Sequence, residues 1–113
     1  MHLRRLQEEV ARWIESSPGG YWPPLANLAR LVEEAGELAR ALNTAYGPKT
    51  LKPGERPPVL EEEMGDLLFT LLVLANQTGV DLESAFAGTL ERYNGRLVSG
   101  TRAQNPGGSR PLP

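Results

Sequence analysis

Acidic side chains stand inside two apolar, helix-periodic segments, and this arrangement limits what the chain can fold into. Residues 31–39 read LVEEAGELA, and residues 61–68 read EEEMGDLL. Glu34 lies three residues after Leu31 and four before Leu38, so on a helix it shares a face with apolar side chains. A carboxylate on such a face is costly to bury unless it is paired or binds a metal. Carboxylates from two such helices can form a cage of hard oxygen ligands, which suits Mg²⁺ or Mn²⁺.

The spacing of the acids selects four of them for this cage. Glu34 and Glu37 are three residues apart, and Glu63 and Asp66 repeat the interval. Residues at this spacing lie on one face of a helix, so each pair is predicted to point the same way. The remaining acids of the second segment, at positions 61 and 62, are interpreted as ordinary solvated helix surface.

A glycine directly precedes the second acid of each pair, at Gly36 and Gly65. Glycine inside a helix costs about 1 kcal/mol relative to alanine. Two such costs beside two acids indicate that a backbone or a ligand approaches closely at these positions.

Apolar residues recur at three- and four-residue spacing along four stretches, and no stretch has the alternation of a strand, which predicts an all-α fold of four helices. The predicted helices cover residues 2–15, 25–46, 59–78 and a last stretch that begins after Asp81. Asp81 is a good N-cap for that last helix. The domain is predicted to span residues 1–98. Residues 99–113 have the composition of a flexible tail.

The second and third predicted helices are rich in apolar residues. The second is predicted to bury one face made of Leu28, Leu31, Val32, Ala35, Leu38, Ala39 and Leu42. The third is apolar almost all round, which is typical of a helix at the centre of a bundle or in an interface. A chain of 113 residues can bury only a moderate core, so a bundle completed by oligomerisation is expected.

Bulk composition excludes several classes of protein. The net charge of −2 and the pI of about 5.4 give no general attraction for a nucleic-acid polymer. The chain has no cysteine, no signal-like N-terminus and no apolar run of membrane-spanning length, so a cytoplasmic protein with no membrane partner is predicted. An anionic small substrate would need metal ions or local basic residues to bind.

Three kinds of metal chemistry can use a carboxylate cage, and one fits the sequence. A di-iron bundle needs Glu-x-x-His motifs, and the only histidine is His2. A calcium site is normally a loop and not a helix interior. Mg²⁺-assisted phosphoanhydride hydrolysis fits best, and it would have to hold phosphates without a P-loop. The basic loop Gly47–Pro58 is either a solvated linker or a lid whose Lys49 and Lys52 meet phosphate.

The motif Glu33-Glu34-Ala35-Gly36-Glu37, then 25 residues, then Glu63-Met64-Gly65-Asp66 resembles the EExxE…ExxD signature of the MazG-like, all-α nucleoside triphosphate pyrophosphohydrolases. The resemblance extends over residues 21–96 and includes the Gly-Asp-Leu-Leu-Phe continuation of the second motif. It implies a MazG-type four-helix bundle that assembles as a homodimer or homotetramer.

The resemblance also implies Mg²⁺-dependent cleavage of a nucleoside triphosphate between its α- and β-phosphates, with a possible role in clearing surplus or non-canonical nucleotides. Glu34, Glu37, Glu63 and Asp66 match the metal ligands of the family. Glu33 matches the remaining acid, which would orient or deprotonate the attacking water. Phosphoribosyl-ATP pyrophosphohydrolase and a non-catalytic regulatory or binding dimer remain as alternative functions.

Further substrate contacts follow from the same resemblance. Arg92, Asn94 and Arg96 fall where the family places polar and basic side chains near the phosphates. Thr70 occupies a position where some dCTP-cleaving relatives carry an aromatic residue that meets the base. Trp22, Tyr46 and Asn27 are candidate replacements for that contact.

Overall fold

The computed structural model describes residues 2–98 and contains four helices in that range. They are α1 (Leu3–Glu15), α2 (Pro24–Tyr46), α3 (Leu60–Thr78) and α4 (Leu82–Val98). The described residues include no strand, so the predicted all-α fold is confirmed. Each of the first three helices begins within one residue of the predicted position. The predicted tail, residues 99–113, lies outside the described residues.

Local sequence explains where the helices begin and end. Pro24 opens α2, a position at which the missing N–H of proline has no helical partner to lose. Gly79 ends α3 in the left-handed conformation, with φ of 72°, and its N–H returns to the last turn. The predicted cap of α4 is present, because Asp81 Oδ1 accepts a hydrogen bond of 3.1 Å from the backbone N–H of Glu83.

Helix α3 is the centre of the fold, with α2 packed on one side and α1 on another, and α4 packs against α1. The buried core lies between α1 and α3 and consists of Val10, Ile14, Leu72 and Val73. The ring of Trp13 meets that of Phe69 edge to face, with centroids 5.5 Å apart, at the outer end of this core.

One buried amide joins three helices. Gln7 on α1 donates from Nε2 to Asn76 Oδ1 at 3.1 Å and to the carbonyl of Val80 at 2.9 Å. Its Oε1 accepts from the backbone N–H of Leu82 at 2.9 Å, and Asn76 Nδ2 donates back to the Gln7 carbonyl. Because every polar group of this buried side chain is paired, the network fixes the start of α4 against α1 and α3.

The prediction of the buried face of α2 is wrong in part. Leu31 and Leu38 are half-buried as expected, on the face that packs against α3. The other five predicted positions are exposed: Leu28, Val32, Ala35, Ala39 and Leu42. Helix α2 carries two apolar faces, and α3 covers only the one that includes the carboxylate of Glu34.

The uncovered apolar face of α2 is termed the outer stripe. Its members are Leu25, Leu28, Val32, Ala35, Ala39, Leu42 and Tyr46, which alternate in spacing between three and four residues and are all exposed. Val32, near the middle of the stripe, is 64% exposed, and α3 adds exposed side chains at Met64, Leu68 and Leu71. Among the described residues, no helix is long and apolar enough to cross a membrane.

An ion pair fastens α1 to the start of α4 and gives the fold an acid-sensitive contact. Arg4 Nη2 lies 2.6 Å from Asp81 Oδ2, and hydrogen bonds from Arg4 and Ser84 lower the pKa of Asp81 to about 2. A carboxyl group with a pKa lowered below its ordinary value of about 3.9 stabilises the fold above that value. This stabilisation is then lost as the pH falls through about 2.

Replacing Asp81 by asparagine is therefore expected to lower the melting temperature at neutral pH. Asparagine retains the helix cap, so the substitution removes mainly the charge that faces Arg4. The difference in melting temperature between the two proteins should shrink as the pH falls below about 4 and approach zero near the folded-state pKa. Thermal unfolding followed by circular dichroism from neutral to acid pH tests this, and a pH-independent difference would contradict it.

Candidate active site

Three of the predicted acids come together between α2 and α3. Carboxylate oxygens of Glu34, Glu63 and Asp66 all lie within 4.8 Å of one another. Glu34 and Glu63 are half-buried and Asp66 is exposed, so the group opens to solvent on one side. Helix periodicity brings them together, because Glu63 and Asp66 share a face of α3 and Glu34 belongs to the face of α2 that packs against it.

The electrostatics of this carboxylate cluster favour a cation. The pKa of Glu63 is raised, first by burial and then by the negative charges of Glu37, Asp66 and Glu34. Within residues 2–98, no ion pair includes a member of the cluster. A divalent ion with oxygen ligands would supply the missing positive charge, so the donor set fits Mg²⁺ or Mn²⁺.

The other two acids of the first motif, Glu33 and Glu37, lie outside the group of three carboxylates. Glu37 is close enough to raise the pKa of Glu63, although its carboxylate is outside the group of three. Glu33 is exposed and also outside that group. As predicted, the acids at positions 61 and 62 are exposed on the surface of α3.

A cavity of about 240 Å³ lies where α1, α2 and α3 meet. Its walls include the rings of Trp13, Trp22 and Phe69, while Asn27 and Thr70 contribute its most buried polar side chains. Three of the residues predicted at the base contact, Trp22, Asn27 and Thr70, are thus brought together in one place, whereas Tyr46 does not line the cavity.

The cavity adjoins the carboxylate cluster. Thr70 lies one turn after Asp66 on α3, and its hydroxyl donates to the Asp66 carbonyl at 2.9 Å. On α2, Arg30 lines the cavity and lies one turn before Glu34. One helical turn rises about 5.4 Å. A single ligand can therefore occupy the cavity and reach the cluster at the same time.

Sequence reasoning missed three lining residues. Trp13 is 59% exposed, and its ring contacts that of Phe69 at the cavity. The guanidinium of Arg30 lies 5.6 Å from the centroid of the Trp22 ring, in a cation–π contact. The four-residue interval between Arg30 and Glu34 was the available signal, because it places a cation on the helix face that carries the acid.

The loop between α2 and α3 is fastened to α2. Arg40 Nη2 lies 2.9 Å from Glu55 Oε2, and the backbone N–H of Lys52 donates to Glu55 Oε1 at 2.9 Å. The Lys52 backbone and then Arg40 lower the pKa of Glu55. Neither Lys49 nor Lys52 lines the cavity, so a contact between these lysines and phosphate stays a prediction.

The three predicted residues of α4, Arg92, Asn94 and Arg96, are exposed. Arg92 Nη2 donates to Thr89 Oγ1 at 3.0 Å, and the guanidinium of Arg96 lies 4.9 Å from the Tyr93 ring centroid. Neither they nor Asn94 line the cavity, and none of the three contributes to the raised pKa of Glu63. Their role in binding phosphate stays a prediction.

The close approach predicted at the two helical glycines is not made by another part of the described residues. Apart from the neighbouring residues and backbone of its own helix, a Cβ atom built on Gly36 or Gly65 would meet no described atom within 4 Å. The reason is that both glycines are exposed, on sides of α2 and α3 that no neighbouring helix covers.

Replacing Gly65 by alanine is therefore expected to raise the free energy of unfolding, by up to about 1 kcal/mol, through helix propensity alone. Gly79→Ala provides the opposite case on the same helix, since φ of 72° strains any side chain there and the variant should be less stable than the parent. Urea unfolding of both variants measures these changes. A loss of stability in Gly65→Ala would mean that something outside the chain approaches this glycine.

Comparison with known proteins gives a consistent assignment. The MazG nucleotide pyrophosphohydrolase domain matches residues 23–98. The uncharacterized protein YpjD of Bacillus subtilis is 45% identical over 94 residues, which cover 83% of this chain and 85% of that protein. Mouse dCTP pyrophosphatase 1 is 35% identical over 107 residues, covering 88% of this chain and 61% of the mouse protein.

Solved structures agree with the sequence relatives. The crystal structure of YPJD from Bacillus subtilis superposes with a TM-score of 0.72 at 44% identity, over 81% of this chain and 94% of that one. A Bacillus-conserved MazG protein, a nucleotide pyrophosphohydrolase, gives a TM-score of 0.68 at 38% identity, over 80% of this chain and 87% of that one. The chain therefore belongs to the MazG nucleotide pyrophosphohydrolase family, and it is an enzyme of the nucleotide pyrophosphohydrolase class.

Proposed function

We propose that the protein hydrolyses nucleoside triphosphates between the α- and β-phosphates, giving a nucleoside monophosphate and pyrophosphate, with Mg²⁺ as its metal. The observation that carries this proposal is the uncompensated carboxylate cluster of Glu34, Glu63 and Asp66 beside an aromatic cavity. The cluster suits a cation that binds phosphates, and the cavity suits a base.

The geometry favours one orientation of the substrate. The base would enter the cavity between the rings of Trp13, Trp22 and Phe69, which provide surfaces for stacking. The triphosphate would then extend along α2 towards the cluster and pass Arg30, whose planar guanidinium is suited to phosphate oxygens. No ion pair between residues 2 and 98 involves Arg30, so to reach phosphate it would give up its contact with the face of Trp22.

The chain's own acids have separate tasks in the proposed reaction. Glu34, Glu63 and Asp66 would hold the metal, and Glu37, whose charge reaches Glu63, stays the predicted fourth ligand. A metal held there would offset the phosphate charge and lower the pKa of the attacking water. Glu33, exposed and one residue from the cluster, would accept the proton of the attacking water. The water oxygen bonds to phosphorus while the bridging P–O bond breaks, and pyrophosphate leaves.

The working form is proposed to be a homodimer or a homotetramer. The outer stripe of α2 has the alternating three- and four-residue spacing of a helix seam, and nothing described in the chain covers it. Ala35 and Ala39 at its centre are small enough to let another helix approach closely. A second copy would bury this stripe together with Met64, Leu68 and Leu71 of α3. The cytoplasmic location inferred from the sequence stays a prediction.

Product analysis tests the proposed reaction. Purified protein with Mg²⁺ is incubated with the common ribo- and deoxyribonucleoside triphosphates and with phosphoribosyl-ATP, and the products are separated by ion-exchange chromatography. Monophosphate and pyrophosphate are expected from the triphosphates. Diphosphate and phosphate would overturn the assignment of the cleaved bond. Turnover of phosphoribosyl-ATP alone would identify the alternative enzyme, and turnover of no nucleotide would favour the regulatory dimer.

A further inference from the structure

The most buried polar side chains of the cavity present hydrogen-bond acceptors to a ligand. Thr70 is 2% exposed, and its hydroxyl proton is committed to the Asp66 carbonyl at 2.9 Å. The lone pairs of its oxygen remain available. Asn27 is 5% exposed, and its Nδ2 donates to the Trp22 carbonyl at 3.3 Å and to Gln77 Oε1 at 2.7 Å. Both of its N–H groups are therefore used within the protein.

The orientation of the Asn27 amide is fixed by its neighbours. The Trp22 carbonyl can only accept, and it receives a second hydrogen bond from Gln77 Nε2. If the Asn27 amide were turned over, its oxygen would face the Trp22 carbonyl and the Gln77 oxygen, and both hydrogen bonds would be lost. Asn27 Oδ1 is thus the unused end. Among the described residues, every side-chain oxygen or nitrogen atom that is shielded from solvent has a hydrogen-bond partner. Because Asn27 Oδ1 has none, it is accessible, and Asn27 lines the cavity.

The hydrogen-bond donors at the cavity lie in its exposed part. The indoles of Trp13 and Trp22 are 59% and 55% exposed, so their N–H groups compete with water. Arg30 is exposed as well and lies over the Trp22 ring. The buried part of the cavity therefore offers acceptors at Asn27 and Thr70, and the exposed part offers donors.

We propose that this pair of acceptors selects nucleotides whose base carries an exocyclic amino group, such as cytosine and adenine, over bases with a carbonyl in its place. This inference rests on the proposed function and adds to it the class of base. An amino group has two N–H bonds and can donate to both Asn27 Oδ1 and Thr70 Oγ1. A carbonyl oxygen in its place is a third acceptor, and the ring N–H beside it can pair with only one of the two oxygens. The other acceptor would then lose its water without gaining a partner, which discriminates between close analogues.

Binding can be measured without the metal or the reaction. The chain contains two tryptophans, and both line the cavity, so their fluorescence reports its occupancy directly. The full-length protein in chelator is titrated with deoxycytidine monophosphate and, separately, with deoxyuridine monophosphate, which differ in the amino or carbonyl group at C4 and in the proton on the adjacent N3. The cytidine nucleotide is expected to bind at least about tenfold more tightly. Adenosine and inosine monophosphates provide the same comparison for purines.

Two threonine variants test the role of the Thr70 hydroxyl as an acceptor. Thr70→Val keeps the shape of the side chain and removes the acceptor, so it should reduce the ratio of the two affinities by about fivefold. Thr78→Val is the matched control, because Thr78 is on the same helix, makes the same hydroxyl-to-carbonyl bond to Leu74 at 2.8 Å, and does not line the cavity. It should leave the ratio unchanged.

Equal binding of the two pyrimidine nucleotides, tighter binding of the uridine nucleotide, or no quenching by either would overturn the inference. An unchanged ratio in folded Thr70→Val would overturn the role of Thr70 in it. The kinetic comparison of dCTP with dUTP separates this inference from the reaction itself. Equal hydrolysis of both would leave the proposed function standing and overturn the selection. Hydrolysis of neither, with the cytidine preference in binding retained, would support the selection and overturn the proposed reaction.

Discussion

Removing one charge from the carboxylate cluster is expected to abolish most of the activity. Glu34→Gln, Glu63→Gln and Asp66→Asn keep the size of each side chain and remove an anionic ligand, so kcat/KM should fall by roughly 10²–10³-fold or more in each case. The expectation follows from the shared geometry, because the three carboxylates lie within 4.8 Å of one another and none has a described ion-pair partner.

One of these substitutions, Glu63→Gln, is also expected to stabilise the metal-free fold. Burial and the charges of Glu37, Asp66 and Glu34 all raise the pKa of Glu63, so its ionised form is disfavoured in the folded chain. Glu63→Gln removes this repulsion and should raise the melting temperature in chelator while abolishing the stabilisation that added Mg²⁺ provides.

Matched controls are available on the same helix. Glu61→Gln and Glu62→Gln make the same chemical change at exposed positions outside the group of three, and both variants should keep full activity. Activity is measured as pyrophosphate release, and metal binding by calorimetry. Full activity in any of the three cluster variants would show that the proposed metal site is wrong, and loss of activity in the controls would mean that the effect is one of general charge.

The parts of the structure that local sequence controls were predictable. Helix boundaries follow from proline, glycine and Asp81, which act within a turn of their own position. The meeting of Glu34 with Glu63 and Asp66 was also predictable, because a carboxylate on an apolar face has few other ways to avoid burial alone. These predictions need only the residues at the ends of each helix and the period of the helix itself.

Two kinds of feature were not predictable: which apolar face of a helix is covered, and which side chains of different helices form the cavity. Helix α2 has two apolar faces, and its sequence does not say that α3 covers the face of Leu31 and leaves Val32 exposed. The cavity needs Trp13 from α1, Trp22 from the segment before α2 and Phe69 from α3 to line one space. The orientation of Asn27 is decided by Gln77, which is 50 residues away in the chain. These features arise from tertiary contacts and not from periodicity.

A charge placed in the outer stripe is expected to separate the proposed oligomer into single chains. Val32 is 64% exposed in the isolated chain and stands near the middle of the stripe. Burying a valine contributes roughly 1.5–3 kcal/mol, and a symmetric interface uses the residue twice. Val32→Asp both removes this contribution and buries two carboxylates, so the dissociation constant should rise by at least about 10³-fold. Light scattering and sedimentation measure the mass of both proteins in solution.

A charge placed outside the stripe shows whether dissociation of the oligomer depends on the stripe or on any added charge. Val80→Asp is the matched control, since Val80 is 42% exposed at the turn between α3 and α4 and does not belong to the stripe. This variant should remain an oligomer. The wild-type chain sedimenting as a monomer, or Val32→Asp keeping the wild-type mass, would exclude an interface built on this face. The stripe is the largest apolar face that the described fold leaves uncovered on α2. Separation of Val32→Asp into monomers with a lower melting temperature would therefore identify it as the surface that completes the bundle.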